Sequence, residues 1–166
     1  MSSIKPGDKF PAGVTFSWVP YTEEKSDVTA CGRQVELNAS DEWADKKVIL
    51  FAVPGAFTPG CSEKHLPSYI RNYNELKNKG IDVIAVIAYN DAHVMAAWGK
   101  ANNVKGDDIL FLSDTGNKFS ESIGWTNGPR LARYALVIDK GIVTYAAKDN
   151  KGEVDVSAAE AVLAKL

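Results

Sequence analysis

Three features of the sequence predict an α/β fold with a mixed central β-sheet flanked by helices. Two continuous apolar runs, "KKVILFAVP" and "IDVIAVIAYN", read as strands buried on both faces. The stretch between them has helical apolar spacing, which makes a β-α-β unit with parallel strands. Late in the chain, Asp139-Lys140-Gly141 sits between "RYALVID" and "IVTYAA", a tight turn that makes those two strands antiparallel.

Each element follows from local chemistry. The first buried strand stops at Pro54, which has no N–H to continue a ladder. From Pro59 to Lys79, apolar residues at Leu66, Ile70, Tyr73 and Leu76 predict one helix, closed by Gly80 at a C-cap position. The second buried strand follows at once. "DAHVMAAWGKANN" predicts a short helix opening on Asp91, "DILFLSD" a third strand, and "NKFSESIG" a short helix stopped at Gly124. After the hairpin, "SAAEAVLAKL" predicts a last helix from Ser157, with Glu160 three residues later in the capping-box pattern. The order β-α-β-α-β-α-β-β-α, after an N-terminal extension of short strands, is the thioredoxin arrangement with an inserted strand and helix. One domain is expected over residues 1–166.

Composition narrows the function. A chain of 166 residues that is 45% hydrophobic can bury a real core. Nineteen basic against twenty-one acidic side chains, with no block of like charge, argue against nucleic acid or a membrane surface as partner. The N-terminus lacks a secretory core, and no apolar run approaches the roughly 18 residues that would span a bilayer, so an intracellular protein is expected. Two cysteines and two histidines, without Cys-x-x-Cys, suit neither a disulfide scaffold nor structural zinc, and no metal or cofactor is expected. Ala164-Lys165-Leu166 differs by one small residue from the Ser-Lys-Leu peroxisomal address, although a lysine there also suits a helix C-terminus.

The chemistry centres on "VPGAFTPGC", Val53 to Cys61. Pro59 suits the first helical position, which puts Cys61 in the first turn. Unpaired N–H groups and the positive end of the helix dipole there favour a thiolate, and a thiol that ordinarily titrates near 8.5 can fall to about 6 with one cation nearby. Thr58, three residues back, lies on the same face if the turn is helical; its hydroxyl could meet the thiolate and a bound oxygen, serve as an N-cap, or both. An inert buried thiol is the alternative for Cys61. His65, four residues on, either adds charge near the thiolate or packs beside the loop.

Pro54, Thr58 and Cys61 form Pro-x-x-x-Thr-x-x-Cys, which resembles the active-site signature of the peroxiredoxins. The longer string "FAVPGAFTPGCSEKHLP", followed in order by "KGIDVIAVIAYND", "AWGK", "LSD" and "RYALVID", is similar to the type-II and peroxiredoxin-five branch, fungal peroxisomal members above all. The resemblance implies that Cys61 attacks a peroxide oxygen and becomes a sulfenic acid, that Thr58 holds the peroxide, and that Pro54 shields the site. It assigns Arg133, at the start of a late strand, to stabilise the thiolate and the leaving oxygen. Arg130 competes on chemistry alone, but its polar turn "TNGPRLA" argues for a solvated role.

A sulfenic acid needs a second thiol to resolve it, and Cys31, in the polar stretch "DVTACGRQVELN", is the one other cysteine; the alternative is that it is a bystander. The resemblance implies a homodimer in which Cys31 of one chain pairs with Cys61 of the other, recycling by thioredoxin or by glutathione and glutaredoxin, and a cytoplasmic or peroxisomal location. Hydrogen peroxide and alkyl hydroperoxides are the implied substrates. Thiol-disulfide exchange and redox relay are the competing readings; the missing Cys-x-x-Cys counts against the first. Disulfide geometry requires the two Cα atoms within about 7 Å, so the turn around Cys61 is expected to unwind during resolution.

Overall fold

The structure, a computed structural model, describes residues 3–166. At the centre of its main sheet lie three parallel strands, β3 (Lys47–Ala52), β4 (Val83–Ala88) and β5 (Leu110–Ser113). Antiparallel neighbours complete it: β1 (Thr15–Trp18) and β2 (Val35–Asn38) beyond β5, and β8 (Tyr134–Asp139) and β9 (Ile142–Lys148) beyond β3. The strand order is β2-β1-β5-β4-β3-β8-β9. This is the thioredoxin-like mixed sheet that the sequence predicts.

Alternation along β3 divides the core in two. Val48, Leu50 and Ala52 face a layer with Phe16, Trp43 and Phe119, whereas Ile49, Phe51 and Val53 face a layer with Leu66, Tyr69 and Trp98. Each fully buried side chain of this size stabilises the fold by about 1.5–3 kcal/mol, so a one-residue slip of β3 would exchange both layers at once. The second layer receives α2 (Leu66–Arg71), α3 (Tyr73–Asn78), α4 (Ala92–Ala101) and α6 (Ala159–Leu163). Cys61 belongs to it. The first layer holds Ala39 of α1 (Ala39–Glu42) and Phe119 of α5 (Lys118–Ser122).

Several local expectations are met. The Asp91 side chain accepts the Val94 N–H at 3.0 Å and caps α4, and Gly80 takes φ 87 after α3. The β8–β9 hairpin turns on Lys140 and Gly141, with φ of 49 and 82, the two left-handed residues of a type I′ turn.

Three expectations are corrected. The helix predicted over Pro59 to Lys79 is not continuous: Cys61–His65 form a wide π-turn, in which Leu66 N–H reaches the Cys61 carbonyl, and a kink at Asn72 (φ −96, ψ 9) separates α2 from α3. Pro67 supplies a physical reason for the wide turn, since it has no N–H to donate and its ring would strike the carbonyl four residues back in a regular helix. The capping box at Ser157 and Glu160 does not form. Ala158 is the N-cap of α6, because the Ser157 hydroxyl donates to the Asp149 carboxylate and Glu160 accepts from Arg71 and Asn72, both at 3.3 Å. Lastly, "TNGPRLA" is not a simple polar turn but a hairpin of β6 (Thr126–Asn127) and β7 (Arg130–Leu131) around Gly128, φ 61.

Candidate active site

β3 delivers the chain to the site. The Val53 N–H still pairs with the Ile87 carbonyl at 3.0 Å, and pairing stops at Pro54. The loop that follows is pinned by the Ala56 N–H on Asn90 Oδ1 at 2.8 Å. Phe57 adopts φ 62 with its ring 54% exposed, a conformation that costs a non-glycine residue free energy and turns the chain into the helix. The helical turn then begins at Pro59, with the Ser62 N–H on the Thr58 carbonyl at 2.8 Å. Cys61 lies in that first turn with no exposed surface.

Thr58 occupies the N-cap position without capping by its side chain: its hydroxyl donates to the Gly55 carbonyl at 2.7 Å. That leaves the Oγ1 lone pairs as acceptors, oriented by the same bond.

Arg133, just ahead of β8, reaches the thiol. Its Nη2 donates to Cys61 Sγ at 3.4 Å and its Nη1 to His65 Nδ1 at 2.9 Å. His65 is wholly buried, and its Nε2 lies 3.0 Å from the Ser157 carbonyl. Burial first, then the Arg133 charge, push its pKa down to about 3. The imidazole is therefore neutral, with Nε2–H donating to Ser157 and Nδ1 accepting from Arg133. Of the two readings of His65, packing beside the loop holds and added charge does not: the ring lies against Phe51 and accepts from the cation beside the thiol.

Two glycines of the loop make room for guanidinium groups. A Cβ on Gly60 would stand 3.0 Å from Arg133 Nη2, and one on Gly55 3.1 Å from Arg130 Nη1. Arg130 is half-buried, 5.1 Å above the Tyr89 ring, and so belongs to the rim of the site rather than to open solvent. The Asn-Gly pair ahead of it is a hairpin signal that could have placed it there. A cavity of about 140 Å³ lies beside Pro54, Thr126 and Arg133. Trp98 of α4 donates its indole N–H to Ser62 Oγ at 3.0 Å, a contact with no signature in the sequence.

Cys31 is elsewhere. It is exposed, in the segment between β1 and β2, and its Sγ has one polar neighbour, the Thr29 carbonyl at 3.9 Å. Lys100 of α4 ties this segment down through the Ala30 carbonyl at 2.9 Å. Both thiols are free. The sheet order sets β2, which follows Cys31, four strand spacings from β3, which leads to Cys61, or about 19 Å. Among the described residues no cluster of His, Cys, Asp and Glu could hold a metal ion, and no helix is long and apolar enough to cross a membrane.

The Redoxin family model matches residues 5–163. Peroxiredoxin Pen c 3 of Penicillium citrinum is 57% identical, with 99% of each chain covered. The chain belongs to the peroxiredoxins. It is accordingly a peroxidase, an oxidoreductase. A Lipomyces kononenkoae protein named as a peroxisomal peroxiredoxin is 42% identical over 96% of this chain and 99% of its own. Among solved structures, reduced Prx3 of Vibrio vulnificus in complex with hydrogen peroxide is 41% identical with a TM-score of 0.83, covering 97% of this chain and 98% of that one. These relatives bear out the peroxiredoxin resemblance and the α/β fold read from the sequence.

Proposed function

We propose that this peroxiredoxin reduces hydrogen peroxide and alkyl hydroperoxides at Cys61. The observation that carries the reading is the Arg133 guanidinium 3.4 Å from a fully buried thiol at a helix start. The Cys61 thiolate attacks one peroxide oxygen, the O–O bond breaks, and the departing oxygen leaves as water or an alcohol after taking a proton. Cys61 becomes the sulfenic acid. Thr58 holds the peroxide, Arg133 stabilises charge on thiolate and leaving oxygen, and Pro54 screens the site from water. The binding of hydrogen peroxide by the Vibrio vulnificus protein supports the choice of substrate.

Cys31 of a second chain then attacks the sulfenic sulfur, forming a disulfide and releasing water. A dithiol protein such as thioredoxin returns two electrons and two protons, with glutathione and glutaredoxin as the alternative donors. The exposure of Cys31, which leaves it accessible to a second chain, supports pairing between chains of a homodimer. Because Cys61 is inaccessible, its turn unwinds first, and the π-turn is the weak point of that helix. Burial of Cys61 also favours a small peroxide over a protein disulfide, which sets the exchange reading behind. The name of the Lipomyces relative supports peroxisomal use of Ala164-Lys165-Leu166. Since Leu166 packs on the second core layer, such use requires the last turn to detach.

Stopped-flow oxidation of the reduced protein by hydrogen peroxide tests the first step; a rate no faster than that of an ordinary free thiol would overturn it. A non-reducing gel after peroxide treatment tests the second. A reducible dimer band is expected, and an oxidised monomer with an internal disulfide would exclude pairing between chains.

A further inference from the structure

Arg133 is held twice, and the two holds meet. At its main chain, the Arg133 carbonyl accepts the Asp149 N–H at 2.9 Å. At its side chain, Nη1 rests on His65 Nδ1 at 2.9 Å. Between these ends runs a closed circuit of hydrogen bonds. The Asp149 carboxylate, 7% exposed, accepts the N–H groups of Asp155, Val156 and Ser157 at 3.1, 2.8 and 3.3 Å, together with the Ser157 hydroxyl. The Ser157 carbonyl in turn accepts His65 Nε2–H at 3.0 Å and the Tyr69 hydroxyl at 2.6 Å, which occupies both of its lone pairs. His65 returns the circuit to the guanidinium, whose other nitrogen donates to Cys61 Sγ.

We propose that Asp149 is a positioning residue for the peroxidase reaction: through Ser157 and His65 it sets the direction from which Arg133 meets Cys61. This rests on the reading that Arg133 acts on Cys61. The chemistry of the circuit is directional. A buried carboxylate with four donors fixes the backbone of residues 155–157, so the Ser157 carbonyl cannot turn away. That carbonyl keeps the histidine proton on Nε2, which leaves Nδ1 as an acceptor aimed at Arg133. With Nη1 occupied there, Nη2 is presented to the thiol. An asparagine at 149 would bring its own amide N–H against the N–H and O–H groups that the carboxylate now accepts, and the circuit would open at Ser157.

A double-mutant cycle on the full chain tests this, with peroxide oxidation of Cys61 followed by stopped flow. Asp149→Asn is expected to slow oxidation about tenfold, well within what a sub-ångström misplacement of a catalytic group produces. In an Arg133→Ala background the same change should cost less than about twofold, the scatter of a substitution that has lost its route to the thiol. Ser157→Ala, which keeps the carbonyl and removes the hydroxyl, should repeat the pattern with a smaller loss, and it carries the cycle if Asp149→Asn does not fold. As a control, Ser122→Ala deletes a 2.6 Å hydrogen bond from the Ser122 hydroxyl to the Phe119 carbonyl, beside the other core layer and away from the circuit. It should lower the melting temperature and leave the rate unchanged. Equal slowing by Asp149→Asn in both backgrounds, or no slowing in the parent, overturns the positioning role. If Arg133→Ala itself leaves the rate intact, the parent reading of Arg133 falls first, and the role of Asp149 with it.

Discussion

Cys61 and Cys31 are the same side chain in opposite surroundings. Cys61 has no exposed surface, faces a guanidinium, and sits in a turn fixed by Pro59, Ser62 and the packing of α2. Cys31 is exposed, in an irregular stretch ahead of β2, where Lys100 holds the neighbouring Ala30 carbonyl. Attack on peroxide rewards fixation, because charge moves in the transition state and its partners must already be in place. Disulfide formation rewards reach, because one sulfur must travel to the other. On the mechanism proposed above, each demand falls to a different part of the fold.

Substitutions separate the two demands. Cys61→Ser is expected to abolish peroxide consumption altogether, whereas Cys31→Ser should leave one round of Cys61 oxidation at the parent rate and stop turnover with a dithiol reductant; normal cycling by Cys31→Ser would erase the division. Arg133→Ala should slow Cys61 oxidation by about 10²- to 10³-fold, the scale seen when a preorganised donor is lost. Gly60→Ala tests fixation more finely, since its new methyl would stand 3.0 Å from Nη2 and displace the guanidinium; a loss of about tenfold is expected in stopped flow.

A further prediction concerns acid. Histidine in the unfolded chain protonates near 6.5, but in the folded protein His65 resists until about 3. Between those values the unfolded state holds the extra proton, so stability is full above pH 6.5 and declines as pH falls, by roughly 1 kcal/mol per pH unit. Urea midpoints measured from pH 7 to 4 should show this slope, and His65→Gln should flatten it. Cys31→Ser should leave the slope unchanged.

Much of this was legible in the sequence. Strands β3 and β4 are apolar on both faces, and the hairpin turn names its own conformation through Lys140 and Gly141. Pro54, Thr58, Cys61 and Arg133 were picked out as candidates through local pattern and family resemblance, and the structure brings Arg133 to Cys61. Less legible were features that depend on distant partners. The π-turn needs Pro67 weighed against a helical periodicity that otherwise runs through it. Ser157 reads as a helix cap until Asp149, eight residues earlier, competes for its hydroxyl. His65 looks like a cation by type, and only burial against Phe51 and Arg133 makes it neutral.

Helix α4 touches both thiol-bearing segments, through Trp98 on Ser62 and Lys100 on Ala30. Its indole therefore stands one residue from the reactive sulfur and loses a hydrogen bond whenever that turn opens. If the Cys61 turn opens as proposed, the loss of that bond makes Trp98 emission an expected optical reporter of the opening, read with no label attached once Trp18, Trp43 and Trp125 are replaced by phenylalanine.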